Sequence, residues 1–226
     1  WQPDPNVIAV APFENRTGDP AFDNRGEWIA GAIEERLSGA MIGEVVPAAR
    51  VMPALRAAGP GTDLVTVLSR ELDAGTVVSG YIDLQGDSLE VRASCVDAAT
   101  GTILTPLDRV RGGPEELDAL VAEIASRVAG ALAMLLEPVS SPQGSALGAP
   151  PRNPEAYEEF RRGMELQAIP EDWGVAIDHF FRAWALDSTF YSAAIMASIN
   201  AGAGTERGLG DWREERDSVL AFLVRS

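Results

Sequence analysis

The stretch from Val7 to Gly26, VIAVAPFENRTGDPAFDNRG, is the first place where residue types and their order could do chemistry. An apolar run ends at Pro12, a polar loop carries Gly18 and Gly26, and an amphipathic segment follows. Phosphate cradles are built in this order of strand, glycine-bearing loop and helix, because glycine lets backbone N–H groups converge on an anion at a helix N-terminus. Here the glycines stand eight positions apart, Asp19 and Asp23 would repel a phosphate, and the chain has no lysine to complete a phosphate loop. The loop reads instead as a connection in which Asn15 and Asp19 hydrogen-bond their own backbone and Gly18 takes a positive φ. As part of a groove for a partner, it offers Asn15, Arg16 and Asp19.

The remaining candidates for chemistry are thinner. Cys95, the single cysteine, lies in the alternating SLEVRASCVDA and reads as a buried strand thiol. Alone, it excludes an intramolecular disulfide and a multi-cysteine metal site. His179, the single histidine, is 84 positions further on beside Phe180 and Phe181. The adjacent Asp178 does not share its helix face, so the histidine reads as structural or exposed. DLQGDSLE lacks the dense alternating oxygen ligands of a calcium loop and reads as a hairpin turn. NRT at Asn15 to Thr17 matches a glycosylation acceptor only formally. No acidic pair sits in an apolar context that would raise a pKa for acid–base work. The expectation is no catalytic residue, no cofactor and no metal.

Composition narrows the partners. The chain has 226 residues, 46% hydrophobic and 23% charged, enough for one or two domains with real cores. Its formal charge of -16 disfavours nucleic acid and anionic membrane surfaces. All 18 basic residues are arginine, which removes lysine-based catalysis. ALVAEIASRVAGALAMLL comes nearest to a membrane span but carries Glu123 and Arg127 at helical spacing, so no membrane insertion of these residues is expected. The start at Trp1 without methionine reads as an excised fragment or a processed form, and leaves a preceding transmembrane helix open.

The positioning elements follow from periodicity. Val7 to Ala11 predicts a buried strand, and Gly26 to Met41 a helix with Trp28, Ile29, Ile33 and Leu37 on its core side. IGEVVPA predicts a short strand. ARVMPALRAAG predicts a helix begun near Val51, with Pro53 tolerated in its first turn. TDLVTVLSRELDAG predicts a helix capped by Thr62 or Asp63 and stopped by Gly75. TVVSGYIDLQ and SLEVRASCVDA predict a hairpin turning at Gly86 and Asp87, and ATGTILTPLDRV a third antiparallel strand. A long helix runs from Pro114 to about Leu136. The Pro/Ser/Gly-rich residues 137–153 read as a linker between a first domain, 1–136, and a second, 154–226. In the second, four helices are expected near 154–168, 172–187, 189–203 and 208–224.

In that second half Ala176, Phe180, Ala183 and Leu186 fall at tetratricopeptide offsets, preceded by Tyr157, Phe160 and Gly163 and followed by a restart with Ala194, Ala197, Ser198 and Ala201. About two repeats are visible. Such arrays need roughly three or more units for stability, so further repeats, or packing against another body, are expected.

Laid out this way, VIAVAPFENRTGDP, SRELDAGTVVSGYI, VRASCVDAATGTIL and the closing helix resemble, in order and spacing, the TolB-like amino-terminal family of bacterial signalling proteins. The resemblance covers Val7 to Leu136 and implies binding or sensing, with no catalytic residue to carry over. In that family the domain is often joined to tetratricopeptide repeats in the extracytoplasmic part of receptor-type serine/threonine kinases, adenylate cyclases or winged-helix regulators. Many relatives have leucine where this chain has Ala11.

The resulting expectation is an α+β domain, a mixed sheet with flanking helices, followed by an all-α tetratricopeptide-type domain. Its role would be a non-enzymatic sensory or protein-interaction region, extracytoplasmic, with cytoplasmic placement as the alternative. A protein or peptide partner is expected and a homodimer is open. Tyr157, Arg161, Arg162, Arg182 and Trp184 join Asn15, Arg16 and Asp19 as partner-binding candidates, although Tyr157 and Trp184 also read as inter-helix packing. A small-ligand or nucleotide sensor and a structural oligomerisation module are the competing readings.

Overall fold

Apolar residues in the first half of the chain recur with a period of two where it extends and near 3.6 where it coils. In the computed structural model, which describes residues 2–59, 61–137 and 149–225, those patterns become an α+β fold followed by a helical region. The chain divides into two compact units, Trp1–Leu132 and Ala133–Ser226. Of the expected linker, residues 138–148 lie outside the described residues.

The first unit is built on a mixed sheet. Strand β1 (Asp4–Val10) lies between β3 (Glu44–Val45) and β4 (Ala74–Gln85), parallel to both. β4 turns at Gly86, φ 66°, into the antiparallel β5 (Ser88–Asp97). The expected third strand of the meander is two short ones, β6 (Ile103–Pro106) and β7 (Val110–Gly112), both paired with β5. The residues between them leave the ladder, and Arg127 Nη1 donates to the freed carbonyls of Asp108 at 3.1 Å and Arg109 at 3.4 Å. A last short strand, β2 (Glu14–Asn15), pairs with β4.

One sheet face is a continuous apolar floor. Val78, Ile82, Val91 and Cys95 are fully buried on it, cross-strand partners sharing a face. Helices α1 (Arg25–Gly39) and α4 (Leu117–Leu136) carry the matching stripes, Ile29, Ile33 and Leu37 on the first and Ile124, Val128 and Leu132 on the second. Phe13, 4% exposed, ties the start of α1 to this floor. A Cβ at Gly26 would run into the Phe13 carbonyl oxygen, and one at Gly80 into the Phe13 ring. Within the first unit and among the described residues, helices cover the opposite face at one end. There α2 (Ala48–Ala58) and α3 (Leu64–Leu72) set Val51, Leu68 and Leu72 against Ala9, Ala11, Ala74 and Val77.

Two local expectations are corrected. Helix α2 begins at Ala48, because Glu34 Oε2 accepts its N–H at 2.9 Å, so Pro53 lies inside the helix rather than in its first turn. Helix α3 is capped by Asp63, whose Oδ2 accepts the Thr66 N–H at 2.9 Å, but it ends at Asp73, which is left-handed at φ 59°. Gly75 instead belongs to β4, where a Cβ would run into the Asp4 carbonyl oxygen. By length and hydropathy, 23 residues and a value of 1.8, Pro114–Leu136 does pass as a candidate membrane span. Half of its most apolar window is buried, and Arg127 pairs with Glu123 at 2.8 Å while holding the carbonyls beside β7. A core helix has these marks.

The second unit is a chain of helical hairpins: α5 (Pro154–Leu166), α6 (Trp173–Leu186), α7 (Tyr191–Glu206) and α8 (Arg213–Leu223). Phe160 sits 5.7 Å from Phe180 and 5.1 Å from Phe190, centroid to centroid, with Ala176, Ala183, Ala193 and Ala197 closing the gaps. Small residues permit that approach: a Cβ at Gly163 would stand 2.7 Å from Phe180 Cε1. Leu186, expected on the same face, is 48% exposed, because the helix ends there and Asp187 turns extended.

Candidate functional site

The glycine-bearing loop closes on itself. Asn15 Oδ1 accepts from the Thr17 N–H at 3.0 Å and from its hydroxyl at 2.7 Å, while Nδ2 donates to the Asp19 carbonyl at 2.9 Å and to Asp23 Oδ1 at 2.6 Å. The Asp19 N–H reaches Thr17 Oγ1 at 3.0 Å, and Asp19 Oδ1 accepts the Ala21 N–H at 2.9 Å. Gly18 has φ 76°. The N–H groups of Thr17, Asp19 and Ala21 are taken by the loop's own side-chain oxygens, and Gly26 is small to admit Phe13. The loop is a scaffold turn, with Asn15 and Asp19 as its internal ties.

Arg16 is the exception, because it leaves the loop for the sheet. Its N–H donates to the Ile82 carbonyl at 2.8 Å and its guanidinium pairs with Glu14 at 2.6 Å. The guanidinium carbon stands 4.1 Å from the centroid of the Tyr81 ring, with that of Arg92 at 5.9 Å from the same centroid. Both distances lie within cation–π range.

Register explains why these residues meet. Tyr81 pairs with Arg92 and with Glu14, and Asp83 pairs with Glu90, which pairs with Arg111. Cross-strand partners share a face, so two adjacent rows of polar side chains stand on the side of the sheet opposite the apolar floor, beyond the end covered by α2 and α3. At their centre Glu90 is 2% exposed. Its Oε1 accepts from Arg92 Nε, its Oε2 accepts from Arg111 Nε at 2.6 Å, and Arg109 Nε lies 3.7 Å away. Desolvation is the largest single influence on this carboxyl and raises its pKa. The hydrogen bonds and charges of Arg92 and Arg111 outweigh it and hold the carboxyl below its ordinary value. Arg92 and Arg16 are correspondingly held above theirs, chiefly by hydrogen bonds to Glu90 and Glu14.

Tyr157 is a correction: it is 2% exposed and its hydroxyl donates to the Glu137 carbonyl at 2.7 Å, so it has no ring to offer a partner. Arg161 is held by Glu158 at 2.9 Å and Glu165 at 2.6 Å. Trp184 is half-buried, 5.9 Å from Phe222 and edge-on to it. Arg162 and Arg182 are exposed, the latter 3.7 Å from Glu159. His179 is buried, with Nδ1 2.7 Å from Glu159 Oε2.

Tyr81, Glu90, Arg92, Arg109 and Arg111 were missed in the sequence, although part of the signal was there. Once the turn is set at Gly86 and Asp87, the hairpin register places Tyr81 opposite Arg92 and Asp83 opposite Glu90. The assembly offers donors and an aromatic ring but no activated nucleophile. Cys95 is fully buried on the other face, and burial pushes its thiol up to about 12. Among the described residues, no group of three or more His, Cys, Asp or Glu could hold a metal. The arrangement is suited to recognition.

No protein-family model and no curated protein matches the chain. Solved structures similar to it include the lipoprotein GNA1162 from Neisseria meningitidis, with 22% identity over 57% of this chain and 99% of that one, at a TM-score of 0.41. The LpoB C-terminal domain from Salmonella enterica is similar with 16% identity over 50% of this chain and 83% of that one, at 0.38. TolB from Acinetobacter baumannii is similar with 17% identity over 62% of this chain but only 30% of that one, at 0.39.

Proposed function

We propose that this chain is a non-enzymatic protein-interaction region of a bacterial signalling protein, with the uncovered half of the sheet face as its contact surface. The observation that carries the reading is the Tyr81 ring flanked by Arg16 and Arg92, beside three arginines gathered on Glu90. Aromatic and arginine side chains are the residue types that most often anchor protein interfaces. The finer setting, the extracytoplasmic sensory part of a receptor-type serine/threonine kinase with tetratricopeptide helices, rests on the sequence resemblance. The small-ligand alternative is weakened by the loop, whose N–H groups serve its own side chains.

Photo-cross-linking in the native host tests the reading, with the reactive group placed at Ser79 or Ser94 on the open face and at Arg56 on α2 as control. Expected is one reproducible protein adduct, identified by mass spectrometry, from the sheet positions alone. Equal labelling from all three positions would overturn it.

A further inference from the structure

We propose that the open sheet face receives a short carboxylate-rich segment of its partner protein, held by the guanidinium groups of Arg16, Arg92, Arg109 and Arg111. This rests on the reading of that face as the contact surface. Three of these arginines converge on the single carboxylate of Glu90. Each guanidinium carries five N–H donors and a carboxylate has about four acceptor sites, so most donors remain for something else. The three side chains are 42%, 48% and 49% exposed, and Arg16 is 51% exposed. Glu90 thus works as an anchor beneath the fan: it fixes the guanidinium groups from below and leaves their outer edges open.

Charge selects the occupant. Arg16, Arg92, Arg109 and Arg111 face Glu14, Asp83 and Glu90, four cations against three anions, on a chain whose formal charge is -16. Asp83 accepts from the neutral Gln85 Nε2 at 2.6 Å and keeps its charge, and Glu90 is sealed beneath the arginines, so these groups together net one positive charge. The outer surface is therefore a small basic island in an acidic molecule. An extended polyanion such as an anionic bilayer or a nucleic acid would meet net repulsion over most of its footprint. A short acidic segment would touch the island alone. The rows are spaced as alternate residues of a strand, about 7 Å apart, which matches alternate side chains of an extended peptide. Tyr81 gives that peptide a flat apolar surface between the charges.

The probe is fluorescein-labelled octaglutamate, followed by anisotropy, with inorganic phosphate and phosphatidylglycerol vesicles as competitors. Expected is saturable binding that weakens with salt and falls about tenfold in Arg92→Gln/Arg111→Gln, as for charge pairs at interfaces. If the double variant loses its native circular dichroism, the exposed Arg16→Gln gives the same test with a smaller expected loss. Equal affinity of wild type and either arginine variant overturns the proposal, as does competition by phosphate or vesicles as effective as that of unlabelled octaglutamate. If sheet-face cross-links to an identified protein survive in the double variant, the carboxylate assignment falls and the contact surface stands. Arginine-dependent octaglutamate binding without any cross-link would instead sink the contact-surface reading.

Discussion

The two faces of the β4–β5 hairpin are built from the same strands and solve opposite problems. On one, Val78, Ile82, Val91 and Cys95 are fully buried and stability comes from filled volume. On the other, Tyr81, Asp83, Glu90 and Arg92 occupy the intervening positions, and what matters is which charge satisfies which. Glu90, as buried as the valines behind it, shows how the second face keeps water from a charge: arginine stems cover the carboxylate while their heads stay wet. The apolar face answers to shape, the polar face to charge, and each should fail in its own way.

The largest effect is expected where the apolar face is tied together. Phe13→Ala should cost roughly 3–5 kcal/mol in urea unfolding, because the ring fills the space that Gly80 leaves for it. Next comes Cys95, whose thiol is raised from 9.0 to about 12 by burial. Above pH 9 the unfolded chain loses that proton while the native one keeps it, so wild-type stability should fall as pH rises, by up to about 4 kcal/mol at pH 12. Cys95→Ala should lack this component of alkaline loss in pH-dependent unfolding.

The polar face predicts smaller and pH-reversed behaviour. Glu90→Gln should destabilise by roughly 1–2 kcal/mol at neutral pH, less than a fully buried pair because the arginines are half exposed. The native carboxyl is held below its ordinary value of 4.5, so its contribution is present above that value and is lost as pH falls through the native pKa. The gap between Glu90→Gln and wild type should therefore close in acid, which acid titration followed by circular dichroism would show. Smallest is Arg16→Ala, an exposed side chain that pairs with Glu14 and lies over the Tyr81 ring, expected to change stability by under ~1 kcal/mol. If Phe13→Ala and Arg16→Ala cost the same, the contrast between the faces collapses.

Much of the fold was legible. An apolar run marked β1 and alternation marked β5, helical spacing marked α1, α4 and the four helices of the second unit, and Gly86 with Asp87 marked the hairpin. What misled was punctuation: Pro53 and Gly75 looked like helix boundaries, whereas Glu34 and Asp73 set the ends. The first is a contact across fourteen residues and the second a left-handed aspartate, and neither has a local signal. The site was half legible. Arg16 stood out as a loop cation, but the ring it covers comes from β4, and the neighbouring cluster joins β5 to β7, where Arg111 meets Glu90 across 21 residues of sequence.

The sequence by itself determined which residues had to be hidden, because the transfer of apolar side chains out of water depends on their chemistry and spacing. It also weighed against the glycine-bearing loop as a phosphate cradle, since its glycines lie far apart and the chain lacks a lysine. Only the tertiary structure decided where the charges went. Strand register sets four arginines around one tyrosine and one buried carboxylate, and helix packing buries Tyr157 inside the helical unit. Register is fixed by pairings between distant segments, and a one-residue slip would have sent the same arginines to the apolar face.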